Sequence, residues 1–172
     1  MLVQQKEKYF KRLKEFAVFK YFTDEAMRVF FDKSEILSFK AGETIIQEGE
    51  KSPYFYVVLE GTADVTVETD SKNVFISTAG EGAVFGEAGI FLNVKRTANV
   101  MSSADTVLLR IQRTPLLRFI KDRPADGIKF LMIIIYSLLK KLQGANQELA
   151  FERKADIVQE DIDTMVKEIM SD

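Results

Sequence analysis

The chain has 172 residues, with 24 Lys plus Arg against 26 Asp plus Glu, a formal net charge of -2, and no Cys, His or Trp. That length supports one domain with a sizeable core. The missing residue types exclude a Cys/His zinc site, a histidine-assisted nucleophile and any disulfide framework, and the near-neutral balance weighs against a duplex-DNA binder, whose affinity rests on a Lys/Arg surplus.

No segment has the form of a targeting sequence, since charge interrupts residues 1–14 from Lys6 onward. The longest apolar stretch, residues 130–139, contains Tyr136 and Ser137 and is ten residues long; a membrane span needs about 20. No membrane insertion and a cytoplasmic location are the expectations.

Residues 4–32 have a helical pattern, with Tyr9, Phe10, Leu13, Phe16 and Ala17 recurring at helical spacing. Lys6, Lys8, Lys11, Arg12 and Lys14 form a basic stripe, interrupted by Glu7 and Glu15 and therefore expected to be a solvated face rather than a lipid contact. Thr23 is the predicted N-cap of a helix whose first turn carries Asp24 and Glu25.

From residue 34 to 112 the period changes. Short runs rich in β-branched and aromatic residues predict strands near 36–39, 44–47, 54–59, 63–68, 74–78, 98–102 and 106–112. Turns are predicted at Ala41-Gly42, Glu48-Gly49, Glu60-Gly61, Asp70-Ser71 and Gly80–Gly82. Several short strands at this spacing suggest a sandwich or barrel.

Residues 114–172 are helical again. Thr114 is a predicted N-cap with Pro115 at the first helical position, and Pro124 opens another helix. Leu131, Ile135, Leu138, Leu142, Ala145 and Leu149 then follow at spacings of 4, 3, 4, 3 and 4, the seam of a helix that pairs with another helix. Ile162, Met165, Val166 and Ile169 mark a shorter last helix. The segment 152–172 carries three positive and seven negative charges and is expected to be solvated or docked on the basic N-terminal stripe.

The stretch that carries chemistry is 82–100. If Glu87 to Ile90 form one helical turn, the N–H groups of Gly86 to Gly89 converge on a spot that favours an anion. Arg96 supplies a planar two-toothed donor for phosphate oxygens, and Thr97 adds a hydroxyl. Glu87 accepts hydrogen bonds only, which suits a ligand hydroxyl such as a ribose 2′-OH. A structural Glu87–Arg96 ion pair is the competing reading; it contributes little net stability and leaves the adjoining glycines unexplained. The glycines of 80–86 do not form a dinucleotide fingerprint, because the third is one place late and no crossover helix follows. There is no Gly-Lys-Ser/Thr, hence no P-loop.

Gly82, Phe85, Gly86 and Glu87, followed by Arg96, Thr97 and Ala98, resemble the phosphate-binding cassette of cyclic nucleotide-binding domains. These occur in bacterial catabolite-activator proteins, regulatory subunits of cAMP-dependent kinase and cyclic-nucleotide-gated channels. Residues 39–49 resemble the family's first strand pair, and 55–61 its next strand and glycine turn, so the resemblance covers roughly residues 10 to 150.

The resemblance implies an α+β fold, an antiparallel β-roll or jelly-roll barrel flanked by N-terminal and C-terminal helices. The expected segments are a helical 1–33, a β-roll 34–113 with its cassette at 82–99, and C-terminal helices over 114–172. Those are a dimer or capping helix at 125–152 and a last helix at 157–170. The resemblance also implies a cAMP or cGMP ligand and no separate cofactor. Glu87 would take the ribose 2′-OH and Arg96 the cyclic phosphate, helped by backbone N–H groups near Gly86, Ala88, Thr97 and Ala98. Val65, Ile76 and Phe85 would line the pocket, and Ala145 and Asn146 are candidates to cap the base. Thr97 is a position where a hydroxyl favours syn guanine but also occurs in cAMP binders.

The sequence departs from the family at Pro53, where a small acidic residue is usual, and at Ala88-Gly89, where Leu-Ala or Leu-Gly is usual. Neither removes a ligand contact. The expected function is a non-enzymatic cyclic-nucleotide sensor that passes occupancy to its C-terminal helices. It would be a homodimer through the 125–152 helix, with an unidentified effector and no DNA-binding output within residues 126–172. The alternative is a ligand-independent dimerisation module on a degenerate version of the same fold.

Overall fold

The computed structural model describes residues 6–69, 72–92 and 94–170, with side chains through Gln147. The turn expected at Asp70-Ser71 and the side chains of 152–172, including the acidic tail, lie outside the described residues. The chain divides into two compact units, one reaching to Ile134 and the other starting at Ile135.

The first unit is an antiparallel roll of two four-stranded sheets flanked by helices, an α+β fold. One sheet contains β1 (Ser34–Phe39), β3 (Tyr54–Glu60), β6 (Val84–Phe85) and β8 (Thr106–Gln112) in the order β1-β8-β3-β6. The other contains β2 (Thr44–Ile46), β4 (Ala63–Thr69), β5 (Lys72–Ala79) and β7 (Asn99–Ser102) in the order β2-β7-β4-β5. All pairings are antiparallel. The seven predicted strands are present. The two-residue β6 was not predicted, because two residues carry no period.

Alternation along β3 explains how this fold holds together. Its side chains point to opposite faces in turn, and both faces are buried. Phe55, Val57 and Leu59 join a core shared with the helices. Tyr56 and Val58 face the other way, into a smaller core between the sheets with Ile46, Ala63, Phe85, Val100 and Leu108.

The N-terminal region is not one helix. It comprises a 3₁₀ turn at Lys6–Tyr9, α1 (Phe10–Leu13), a second 3₁₀ turn at Ala17–Phe19 and α2 (Asp24–Asp32). Phe16 breaks the run with extended backbone (φ -81°, ψ 136°), which lets Phe16, Phe19 and Phe22 all reach the core. Burial of three rings outweighs local propensity. Thr23 does cap α2, its Oγ1 accepting from Ala26 N–H at 3.1 Å.

Most of the basic stripe is occupied by other partners. Lys6 turns inward and donates to Phe31 O, a carbonyl in the last turn of α2, and to Ser34 O at the start of β1 (2.6 Å). Burial pushes its ammonium below the ordinary lysine value, against the opposing pull of Asp32. Lys8 lies over the Tyr9 ring, Arg12 bridges Glu60 and Glu81, and Lys14 pairs with Asp24.

Two helices complete the order, α4 (Arg113–Asp122) and α5 (Pro124–Met170); α3 (Glu87–Phe91) belongs to the site below. The N-cap of α4 is Gln112, not Thr114, and Pro115 is the third residue of the helix, still in its first turn, rather than the first. The start is moved because Arg113 N–H donates to Pro53 O at 2.8 Å. Helix α5 runs without the predicted break near 153–156; Arg153-Lys154-Ala155-Asp156 contains neither Gly nor Pro to stop it. Among the described residues no helix is long and apolar enough to cross a membrane.

Phe30 ties these pieces together. It is fully buried, and its ring meets Phe19 at 5.1 Å, Phe22 at 5.9 Å, Phe119 at 5.4 Å and Phe130 at 5.7 Å. Helices from both ends of the first unit therefore depend on one side chain. Phe30→Ala should lower the unfolding free energy by about 3–5 kcal/mol, read as a lower urea midpoint at unchanged slope.

Candidate functional site

The site is the crossing of three chain segments. Strand β6 ends at Phe85, Gly86 turns the chain with φ 83°, and α3 follows. The segment 52–54 enters β3 alongside. The loop after α3 returns Arg96, whose backbone is held on both sides. Its N–H donates to Glu50 O at 2.8 Å, and its C=O accepts from Gly49 N–H at 2.9 Å.

With its backbone fixed, the Arg96 side chain is driven inward and is only 5% exposed. Nη1 donates to Gly86 O at 2.9 Å. Nη2 donates to Tyr54 O at 2.6 Å and to Ser52 Oγ at 3.3 Å. All three acceptors are neutral. Nε is buried and has no hydrogen-bond partner among the described residues. Burial lowers the guanidinium pKa from its ordinary value, opposed by Tyr56 and the Glu87 carboxylate; an arginine nonetheless stays charged at neutral pH.

The glycines make room for this guanidinium. A β-carbon on Gly86 would lie 2.8 Å from Tyr54 O and 2.9 Å from Arg96 Nη1, at a φ that other residues rarely adopt. One on Gly89 would lie 2.6 Å from the same Nη1 and 3.1 Å from Cζ. The glycine at 89, in the Ala88-Gly89 pair where the sequence departs from the family's usual Leu-Ala or Leu-Gly, is thus a direct neighbour of the arginine.

Of the predicted site residues, Gly86, Glu87 and Ala88 form the first turn at α3, half-buried, with Arg96 against them. Thr97 is exposed and Ala98 half-buried in the bend that follows Arg96. Phe85 is buried and stacked on Tyr56, with ring centroids 5.0 Å apart and planes at 11°. Val65 packs on the same small core. Ile76 does not join it. It sits 49% exposed on β5, at the point where the pairing with β4 slips one residue between Val65 and Thr66. Ala145 and Asn146 lie on α5 in the second unit, both exposed.

Sequence reasoning missed Ser52, Tyr54 and Tyr56. Two of them serve through a backbone oxygen or a ring, for which no charge or motif gives notice. Their one signal is the period of β3, which puts 54 and 56 on the same face.

The family described as "Cyclic nucleotide-binding domain" matches residues 36–123. The chain belongs to that family. Cyclic nucleotide-binding domains are regulatory, signal-transduction folds, and the similar solved structures have that architecture. One is a cyclic nucleotide-binding domain from Methylobacillus flagellatus KT, 22% identical over 86% of this chain and 84% of that one, with a TM-score of 0.72. Another is the catabolite activator protein of Thermus thermophilus, 20% identical over 78% of this chain and 62% of that one, TM-score 0.67. A third is the regulatory domain of Toxoplasma gondii PKA solved with cAMP, 20% identical over 78% of this chain and 50% of that one, TM-score 0.66. Identities of this size speak to the fold. The chain spans 62% of the Thermus protein and half of the Toxoplasma one.

Within this cyclic nucleotide-binding domain, Gly89→Ala separates fold from site. The new methyl meets the far end of a flexible side chain, so the guanidinium moves and the backbone does not. Thermal unfolding should shift by only a few degrees. The Arg96 Nε–H, buried in the parent, should shift its resonance and exchange faster in the variant.

Proposed function

We propose that this chain is a sensor that binds cAMP or cGMP and converts occupancy into displacement of its C-terminal helices. Arg96 takes the cyclic phosphate, with backbone N–H groups of Gly86, Ala88, Thr97 and Ala98 around it. Glu87 takes the ribose 2′-OH. Val65, Ile76 and Phe85 face the nucleotide, and Ala145 and Asn146 are the candidate cap over the base. On this reading the ring is held and not hydrolysed; the chain lacks histidine, the commonest general base near neutral pH. The proposed setting is cytoplasmic, with no DNA contact, and the proposed partners are a second copy and an effector protein or domain.

The observation that supports this reading is the Arg96 guanidinium, 5% exposed with only neutral hydrogen-bond acceptors and an unpartnered Nε among the described residues. Taking such a charge out of water costs several kcal/mol unless an anion compensates. A phosphate reaching this corner adds to the partial compensation that the Glu87 carboxylate gives, and Glu87, next in the chain to Gly86, distinguishes a ribose hydroxyl from a bare phosphate.

A ligand-independent dimerisation module is the second reading, favoured by Ile135, Leu138, Leu139 and Leu142, which are 41–58% exposed on α5. Calorimetry separates the two. Micromolar or tighter binding of cAMP or cGMP supports the sensor; no heat with either at high micromolar nucleotide leaves the dimeriser. Arg96→Ala should weaken binding by about 2–5 kcal/mol, and Glu87→Ala by about 1–3 kcal/mol; a loss below tenfold for Arg96→Ala removes the phosphate role. Leu142→Asp should convert a dimer to a monomer in sedimentation if α5 pairs between copies, and unchanged mass excludes that pairing.

A further inference from the structure

The segment 52–54 meets Arg96 without bringing it a charge. Ser52 offers a hydroxyl oxygen 3.3 Å from Nη2, and Tyr54 a main-chain oxygen at 2.6 Å. Between them, Pro53 gives its carbonyl to the N–H of Arg113. The carboxylate that acts on the Arg96 guanidinium is that of Glu87, on α3. Arg113, the other arginine at this segment, has its Nε on Ile90 O at 2.7 Å.

Ser52 differs from the other two acceptors of Arg96 in being open to covalent modification. Its Oγ accepts from a guanidinium, which only donates, so the contact does not consume its own O–H. At 3.3 Å the bond is longer than an ordinary N–H···O bond, and presenting Oγ to another enzyme costs the corner little. Ser52 is half-buried between exposed Lys51 and exposed Pro53, and residues 47–53 belong to no helix or strand. A residue before proline is held extended. The hydroxyl therefore stands on an extended loop stretch at the surface, directly over a buried cation.

We propose that Ser52 is a phosphorylation site, and that its phosphate fills the Arg96 corner from within the chain and excludes the nucleotide. The exclusion rests on the proposed nucleotide site; the contact of phosphate with Arg96 rests on the geometry alone. The step is a phosphoryl transfer from a nucleoside triphosphate, catalysed by a separate protein kinase. A bond forms between Oγ and the γ-phosphorus, the bond from that phosphorus to its bridging oxygen breaks, and the nucleoside diphosphate leaves. The serine proton passes to the base of the kinase, and nothing is oxidised or reduced. The product brings a charge of about -1.5 to -2 and three strong acceptor oxygens. Oγ already lies 3.3 Å from Nη2, and Nε is buried with no partner among the described residues. An oxygen one phosphorus beyond Oγ reaches them at the length of charge-assisted bonds, about 2.7–2.9 Å. A cyclic phosphate arriving later meets a cation already compensated and a like charge beside it.

The test uses the full chain with phosphoserine installed at position 52 during synthesis, beside the unmodified parent. Its thermal midpoint should equal or exceed that of the parent, because the buried charge is compensated. In calorimetry, cAMP or cGMP should bind at least about 100-fold more weakly, as expected when a desolvated charged pair is lost. In phosphorus NMR, the second ionisation should fall at least about half a unit below that of a phosphopeptide of residues 49–55, whose value is about 6. That peptide contains the same Glu50 and Lys51, so the difference reports Arg96 against the opposing Glu87. Parent chain incubated with extract of its own cells and γ-labelled ATP should take up label at Ser52, located by mass spectrometry. A lowered midpoint together with weaker binding marks damage to the corner and overturns the proposal. So does an ionisation equal to that of the peptide, or full nucleotide affinity. No label at Ser52 removes the modification. If the parent binds neither nucleotide, the sensor reading fails, while the midpoint and the ionisation still decide whether phosphorylated Ser52 occupies Arg96.

Discussion

A positive charge placed inside the protein is the constraint to which the site is built. Arg96 is anchored at its backbone by Glu50 and Gly49, so its side chain has one direction to go, into the angle between the 52–54 segment and the Gly86 turn. Everything lining that angle is adapted to a guanidinium. The acceptors are two carbonyls and a hydroxyl at different bearings, which a planar fork satisfies and a single ammonium does not. The two glycines at its edge leave no β-carbon where its Nη1 lies. No equivalent care is taken with the exposed ion pairs such as Lys40–Asp105, which water screens and which add little.

Strand β3 explains why this corner is coupled to the rest of the first unit rather than carried on a loose loop. One strand supplies Tyr54 and Tyr56 to the side of the cassette and Phe55, Val57 and Leu59 to the helical core. A sheet strand buried on both faces has no freedom to slip by one residue, since every side chain would then exchange environment. Tyr56, stacked on Phe85 immediately before the Gly86 turn, fixes the cassette to that strand. Phe55 meets Phe130 of α5 at 5.5 Å from the opposite face. The site and the first turns of α5 are thus two faces of one rigid element.

What was legible in the sequence follows from what each signal depends on. The seven longer strands were readable because β-branched and aromatic residues recur with period two between glycine turns, and that pattern is local. The single turn at Glu87 was readable because glycines flank a carboxylate there; the burial of Arg96 against Ser52, Tyr54 and Gly86 was not, since its acceptors are a hydroxyl and two main-chain oxygens. The N-terminal region was not readable as four short pieces, since its helical period is real and only the shared aromatic core around Phe30 makes breaking it worthwhile. The start of α4 was misplaced because Thr-Pro is a good local signal, while the donor–acceptor match of Arg113 with Pro53 is a contact across 60 positions that no local rule detects. The place of Ile76 among the expected pocket residues came from the family resemblance alone; on β5 it stands beside the register slip at Val65, on a strand exposed from residue 72 to 78.

On the sensor reading proposed above, Arg96 and Arg113 bear on how strong a coupling the fold can carry. Arg113 contributes one hydrogen bond to each of the segments that Arg96 holds. A net hydrogen bond is worth about 0.5–1.5 kcal/mol, somewhat more when the donor is charged. If binding at Arg96 strengthens one arrangement of both bonds over the other, the difference available is on the order of 1–3 kcal/mol. That lies within the usual range of coupling free energies, a change of roughly 5- to 150-fold in a two-state ratio. It is short of the ~5.5 kcal/mol needed to carry an equilibrium from 1:99 to 99:1. A sensor built on this pair alone would therefore act as a graded bias on its helices. A full switch would need further contacts whose quality differs between the two states, and the buried aromatic cluster around Phe30, where α2, α4 and α5 meet, is the place in the first unit with enough buried surface to provide them.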